Sequence, residues 1–196
     1  CPAGEALSIF DEYTNAATRS IAGQDIGIYY DLTTEVGDFN ITLNHSETTE
    51  FTQKPTNAYQ ALVDAQESGI IPFDITFAGF GNLAGLDGNY VEKTSLKFNY
   101  RVGDLGVQLS GLRKGDFYQS SETRSDGTRY VIPSMTTYNA SVYYWFNIGD
   151  QKARVKFAVK NLEDERAPLA DRFYGFFADA HQDYGRNFYL DIKVKF

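Results

Sequence analysis

The chain has 196 residues, of which 42% are hydrophobic and 15% aromatic, and its formal net charge is −8. This length suits one domain with a sizeable core. The acidic balance argues against nonspecific binding to nucleic acid or to an anionic lipid surface. A single cysteine excludes an internal disulfide, and two histidines leave little for a His-rich metal centre, so we predict no metal site and no cofactor.

Neither a signal peptide nor a membrane helix is predicted. Residues 1–20 lack a basic start and an apolar run, so we expect a mature chain or a piece of one. The longest uncharged run, 131–149, is interrupted by Pro133 and by several Ser, Thr and Asn residues, and its apolar residues recur at every second position. Such a run is typical of a strand and does not predict a transmembrane helix.

Seven segments alternate between apolar and polar residues, the pattern of β-strands with one apolar face. In chain order they are 26–32, 39–44, 94–100, 105–110, 137–146, 154–160 and 188–196. Short turns and longer connections alternate strictly between them. The longer connections are 46–89, which contains a predicted helix over 57–68 with Asn57 as its N-cap, then 114–134 and 161–185.

Three features favour a transmembrane barrel over a soluble sandwich, which would share the alternation. All the longer connections fall at one end of the sheet, as in outer-membrane barrels. Segments of about nine to eleven residues suit a tilted crossing of the bilayer. The last segment alternates up to Phe196, the final residue. We therefore expect Leu, Ile, Val and Phe to face lipid and the charged residues to face a polar lumen, with Tyr30 and Tyr144 in an aromatic girdle.

The final third of the chain carries an ordered set of motifs. Asn161-Leu162 ends one segment and Asp164 follows, Gly185-Arg186 opens the last segment, and an alternating apolar series runs to the final residue: Phe188, Leu190, Ile192, Val194 and Phe196. In these features residues 135–196, and less distinctly the chain back to about residue 19, resemble the C-terminal end of TonB-dependent outer-membrane receptors.

The resemblance implies an all-β fold: an antiparallel transmembrane β-barrel, with residues 1–196 supplying about seven C-terminal strands of a larger, 22-stranded barrel that has long extracellular loops. The plug domain would lie outside the chain, and Cys1 within an extracellular loop. The alternating C-terminal series would be the barrel-assembly signal. The implied location is the outer membrane of a Gram-negative bacterium.

The implied function is uptake of a small-molecule nutrient, without enzymatic activity. Siderophore, cobalamin and saccharide remain open as substrate classes. The implied partners are outer-membrane lipid, the barrel-assembly machinery, the nutrient ligand and, through the missing N-terminal region, the TonB energy-coupling complex. No nucleic acid is expected.

The loop aromatics, the two histidines and one acidic cluster each allow a functional and a structural interpretation. The loop aromatics Phe77, Phe80, Tyr90, Phe173, Tyr174 and Phe176 either stack on a ligand or hold their loops in place, and the sequence favours neither role. His181 near Asp183 is interpreted as a polar loop residue, and His45 as a strand-end residue. The acidic residues 163–165 are interpreted as part of a solvated loop that Arg166 and Arg172 partly neutralise.

Two alternatives stay open. The first is a secreted or surface β-sandwich that binds carbohydrate. The second is a small self-contained outer-membrane barrel whose eighth strand lies in residues 1–18, or a barrel enzyme of that membrane. The absence of clear alternation in residues 1–18 disfavours the second alternative.

Overall fold

The computed structural model describes residues 18–71 and 80–195, which form ten strands and one helix. The elements are β1 (Arg19–Thr34), β2 (Gly37–Gln53), α1 (Asn57–Glu67), β3 (Gly81–Asn82), β4 (Glu92–Val102), β5 (Leu105–Lys114), β6 (Phe117–Thr123), β7 (Arg129–Ile132), β8 (Met135–Ile148), β9 (Gln151–Lys160) and β10 (Asn187–Lys195). The predicted all-β class is confirmed.

Seven long strands form one antiparallel sheet in the order β1-β2-β4-β5-β8-β9-β10, and the short β3 adds to the end of β2. Within the described residues, β1 and β10 are the two edges of this sheet. The turns β1–β2, β4–β5 and β8–β9 have two residues each and lie at one end. The connections at the other end, here called the loop end, are longer and include a separate hairpin of β6 and β7.

The register aligns apolar side chains in rows across the whole sheet. One row is Tyr30, Ile41, Phe98, Leu109, Ala140, Val159 and Phe188, and the next is Leu32, Phe39, Tyr100, Val107, Val142, Phe157 and Leu190. We call this side the apolar face. In the part of the chain that the structure describes, helices and strands contact only their sheet neighbours, and Leu109 near the sheet centre remains 46% exposed. The apolar face is therefore not covered by another described helix or strand.

The opposite side of the sheet, here called the polar face, carries hydrogen-bonding and charged side chains. The row beside Gln108 includes Asp31, Asn40 and Asn99, and the Nδ2 of Asn40 donates to Asp31 Oδ1 at 2.7 Å. The Nδ2 of Asn99 donates in turn to Asn40 Oδ1 at 2.8 Å. Side-chain pairs of this kind stabilise neighbouring strands without any apolar core between two sheets.

The tightest apolar packing lies at the loop end and not between two sheets. Phe117 of β6, Ile132 of β7, Phe177 and Ala180 are buried together, and the rings of Phe117 and Phe177 meet edge to face at 5.0 Å. This loop core joins the β6–β7 hairpin to the connection between β9 and β10. Among the described residues the single helix, α1, is not long and apolar enough to cross a membrane.

Several predictions of local structure were wrong. The N-cap of α1 is Thr56, whose hydroxyl accepts from the backbone N–H of Tyr59, and not Asn57. Strand β2 continues nine residues past Asn44, so His45 lies inside the strand and its Nδ1 contacts Thr94 Oγ1 at 2.8 Å. The hairpin β6–β7 occupies a segment that was predicted as a loop.

Candidate functional site

A pocket of about 420 Å³ opens on the polar face at the loop end of the sheet. Its lining residues are Leu112, Lys114, Met135, Thr137, Asn139, Lys160, Asn161, Gln182, Tyr184, Gly185, Asn187 and Tyr189. Sites for small molecules commonly have volumes of about 300–1,000 Å³. The pocket is therefore large enough for a small ligand.

The register of the sheet brings the pocket residues together. Lys114 ends β5 and Lys160 ends β9, while Asn139 of β8 lies between these strands and pairs with Lys160. The connection from β9 to β10 then returns over the sheet and adds Gln182 and Tyr184 to the lining. Three strand ends and one loop thus form the walls.

Charge in the pocket has one sign. Lys114 and Lys160 both line it, and its lining includes neither Asp nor Glu. The Lys114 ammonium donates to the carbonyl of Ala180 in the loop core, and the Lys160 Nζ lies 4.8 Å from the centre of the Tyr189 ring. In a chain with a net charge of −8, this pocket is a local concentration of positive charge.

The motif residues of the family resemblance form a clamp at the base of the last loop. Asn161, with φ 55°, exchanges two side-chain hydrogen bonds with the backbone of Glu165, at 2.8 and 2.9 Å. Asp164 Oδ1 accepts from the backbone N–H of Arg186 at 2.6 Å. Gly185, with φ 65°, lies so close that a Cβ there would be 2.9 Å from that oxygen. Four of the five motif residues thus lie close together, although more than twenty residues of sequence separate Asp164 from Arg186.

Leu162 and the alternating C-terminal residues have a different environment. The backbone N–H of Leu162 donates to the carbonyl of Tyr138, and the Leu162 side chain is exposed. Phe188, Leu190, Ile192 and Val194 alternate along the edge strand β10, and the first three are 64–68% exposed. Phe196 lies outside the described residues.

A second clamp holds the same loop. The Arg166 guanidinium donates to both oxygens of Asp183 at 2.8 and 2.5 Å, and the backbone N–H of Ala167 donates to the same carboxylate at 2.9 Å. These hydrogen bonds favour the charged form and lower the pKa of Asp183 to about 2. Arg166 therefore pairs with Asp183 and also interacts electrostatically with Asp164, whereas Arg172 lies 3.9 Å from Asp87.

His181 was interpreted as a polar loop residue, and it lies in the last loop, where it is buried. It is 1% exposed and stacks on Phe117 at 5.7 Å, and among the described residues neither of its ring nitrogens has a hydrogen-bond partner. Burial, and then the positive charge of Lys114, lower the pKa of His181. Without a partner for its nitrogens, His181 acts as an aromatic component of the loop core and has no geometry for proton transfer with Asp183, which is bound to Arg166.

The five predicted aromatic ligand contacts that the structure describes lie outside the pocket lining. Phe80 packs on Tyr59 at 4.8 Å, and Tyr90 packs against the loop core. Phe173 is 96% exposed and meets Tyr174 edge to face at 5.0 Å, with Phe176 a further neighbour of Tyr174 at 6.2 Å. Phe77 lies outside the described residues. A ligand contact at these loop aromatics stays a prediction.

The sequence analysis missed Lys114, Gln182 and Tyr184 as pocket residues. The alternation did assign Lys160 to the polar face, and the same rule applied to the end of β5 would have placed Lys114 there as well. No sequence pattern shows that the last loop returns over this strand end, so Gln182 and Tyr184 could not be assigned.

No family model, curated protein or solved structure matches the chain. Within residues 18–71 and 80–195, no three His, Cys, Asp or Glu side chains are grouped so that they could hold a metal ion. The chemistry of the pocket is therefore that of its lysines, amides and tyrosines.

Proposed function

We propose that the chain is the C-terminal barrel part of a TonB-dependent outer-membrane receptor, which takes up a nutrient and catalyses no reaction. One observation carries the proposal. The antiparallel sheet has apolar rows running unbroken from β1 to β10 on one face and polar rows on the other. A lipid environment on one side and water on the other would satisfy both faces.

The uncovered apolar face favours this function over a β-sandwich that binds carbohydrate. A sandwich buries the inner faces of two sheets against each other. Here the second described sheet is only the hairpin β6–β7, which packs with Phe177 in the loop core. Exposed apolar patches larger than a few hundred Å² mark an interaction with a membrane or a partner.

The position of the pocket also supports the proposal. It lies on the polar face at the end where the longer connections are. In a barrel of the proposed kind this would be the extracellular mouth of the lumen, where a nutrient ligand arrives. The family motif residues form the clamp beside it, which gives these residues a structural reason to occur together.

Quenching of tryptophan fluorescence by brominated detergent tests the assignment of the two faces. Trp145, the only tryptophan, lies on the polar face, where Lys152 and Lys195 contact its ring at 5.4 and 5.1 Å. In micelles of a detergent brominated on its alkyl chain, we expect little quenching of Trp145. The double variant Trp145→Phe, Val142→Trp places the only indole on the apolar face and should be quenched strongly.

A matched variant controls for the position of the indole within β8. Trp145→Phe with Ser141→Trp moves the indole to a neighbouring position on the polar face and should again resist quenching. Equal quenching of the two double variants, or a chain that stays soluble and monomeric without detergent, would contradict the proposal.

A further inference from the structure

We infer that the pocket on the polar face binds a small hydroxylated molecule that carries an oxyanion group, such as a sugar acid or sugar phosphate. The inference rests on the proposed function, since it names the class of nutrient ligand that the receptor would take. The family resemblance leaves saccharides open among several substrate classes, but it does not indicate an oxyanion group. The charge, the free donors and the size of the pocket indicate one.

The charge of the pocket selects against cations and favours anions. Lys114 and Lys160 lie in the lining, and no carboxylate does. Within the described residues neither lysine forms an ion pair, whereas Arg154 on the same face is paired with Asp191 at 2.5 Å. Asp164 lies beside the pocket at Gly185, but its Oδ1 accepts from the Arg186 N–H. Two unpaired ammonium groups in one concave site attract an anion.

Several other pocket side chains keep polar groups available for a ligand. The described contacts give Gln182 no hydrogen-bond partner, and neither tyrosine hydroxyl, of Tyr184 or Tyr189, has one. The amides of Asn139 and Asn161, in contrast, hold the loop base together. The pocket thus offers ammonium, amide and hydroxyl groups at once, which suits a ligand with an oxyanion and several hydroxyl groups.

The size of the pocket sets the scale of the ligand. A volume of about 420 Å³ lies at the lower end of the usual range for small-molecule sites. The Lys160 ammonium already stacks on Tyr189, so its position is restrained before a ligand arrives. A restrained cation loses less conformational freedom on binding than a free lysine would.

Titration calorimetry with four sugars of one scaffold tests the inference. The probes are D-glucuronate, D-glucose 6-phosphate, D-glucose 6-sulfate and uncharged D-glucose, added to the full chain in a polyoxyethylene detergent that contains no sugar. At least one charged probe should bind, and D-glucose should not. The charged probes also separate carboxylate, phosphate and sulfate as the group recognised.

Lysine variants show whether binding occurs at this pocket. Lys160→Gln should weaken binding of the charged probe about tenfold, as expected for loss of one charge-assisted hydrogen bond. Lys160→Arg should restore most of it. The matched control Lys156→Gln lies four residues away on the same face and outside the lining, and it should change affinity by less than about twofold.

Three outcomes would overturn the inference. They are equal binding of D-glucose and the charged probes, no binding of any charged probe, and equal weakening by Lys160→Gln and Lys156→Gln. Each is distinct from failure of the proposed function, which the detergent-quenching experiment measures at Val142 on the apolar face. A chain whose apolar face is covered by detergent but which binds no charged probe would contradict the ligand class alone.

Discussion

Asp164 and Arg186 are joined across 22 residues by a hydrogen bond of 2.6 Å from the backbone N–H of Arg186 to the carboxylate of Asp164. The bond ties the start of the last loop to the start of β10. Because Gly185 and Tyr184 precede Arg186 and line the pocket, the same bond fixes one wall of the candidate site. This contact therefore contributes both to loop closure and to the geometry of the site.

Gly185→Ala should open this clamp. Gly185 has φ 65°, and an added Cβ would lie 2.9 Å from Asp164 Oδ1, so the carboxylate must move. We expect about 1–2 kcal/mol of local destabilisation from the left-handed backbone and about 1 kcal/mol more from the weakened hydrogen bond. Amide hydrogen exchange at Arg186, measured by NMR in detergent, should become faster.

Gly175→Ala is the matched control for that experiment. Gly175 lies in the same loop with φ 77°, but an added Cβ would meet nothing within 4 Å. The Gly175→Ala variant therefore has the same unfavourable left-handed backbone, but its Cβ does not collide with a neighbouring atom. If both variants accelerate exchange at Arg186 equally, the contact with Asp164 has no role in the clamp.

The ion pair of Arg166 and Asp183 should make the last loop sensitive to strong acid. The pKa of Asp183 is about 2 in the folded chain and about 3.9 in an unfolded one. Since the folded pKa is depressed, the stabilisation is fully present above about pH 4 and is lost as the pH falls towards 2. An NMR titration of the Asp183 carboxyl carbon measures the shift directly.

Arg166→Gln should move the pKa of Asp183 back towards its usual value, because the hydrogen bonds from the guanidinium are its largest cause. Arg172→Gln is the control, since Arg172 lies near Asp87 and does not contact Asp183. A titration of Asp183 that is the same with and without Arg166 would refute this account.

The strands were largely predictable from the sequence, but the loop end was not. Alternation found all seven long strands because each has one apolar and one polar face, as the pairing of Val107 with Val142 on the apolar face illustrates. It missed the extension of β2 past His45, where polar residues occupy both faces. It also missed β6–β7. Phe117 and Gln119 lie two residues apart and are both buried, but one is apolar and the other polar, so the segment has no consistent apolar face.

The candidate site was predictable only in part, because strand periodicity fixes the direction of a side chain but does not encode the tertiary packing of a loop. Lys160 could be assigned to the polar face because strand periodicity fixes its direction. Gln182 and His181 owe their positions to tertiary packing of the last loop against β6, and no local pattern encodes that contact. The motif residues Asn161 and Asp164 were identified by resemblance, whereas their joint role as a clamp emerged from the hydrogen bonds.

His181 should make the loop core sensitive to mild acid. Its pKa is lowered by burial and by Lys114, so the folded state disfavours the protonated ring. Stability is unaffected well above the unfolded pKa of about 6.5 and decreases as the pH falls below that value. The protection factors of the loop-core amides, which correct for the intrinsic pH dependence of hydrogen exchange, should therefore fall between about pH 7 and pH 5.

His181→Phe should remove that dependence on pH. The substitution keeps an aromatic ring against Phe117 and removes two buried nitrogens that lack hydrogen-bond partners. A change in packing alone would shift the protection factors of the loop-core amides equally at pH 7 and pH 5. The diagnostic result is therefore the loss of their pH dependence. Persistence of the full dependence in His181→Phe would assign it to another group.

Val155→Arg should be far more harmful than Lys156→Arg if the sheet spans a membrane as proposed. Val155 pairs with Tyr144 and Ile192 on the apolar face, whereas Lys156 points to the polar face beside Asp191. An arginine facing lipid near the bilayer midplane costs about 2–4 kcal/mol, while a lysine facing water tolerates arginine at little cost.

Urea titrations in phospholipid vesicles, followed by Trp145 fluorescence, compare the two variants with the unmodified chain. A lower midpoint for Val155→Arg, with an unchanged midpoint for Lys156→Arg, is the expected result. Adjacent residues of one strand lie at nearly the same depth and point to opposite faces, so the two variants place an arginine on each face of the sheet at similar depth. Equal tolerance at both positions would mean that lipid does not contact the apolar face.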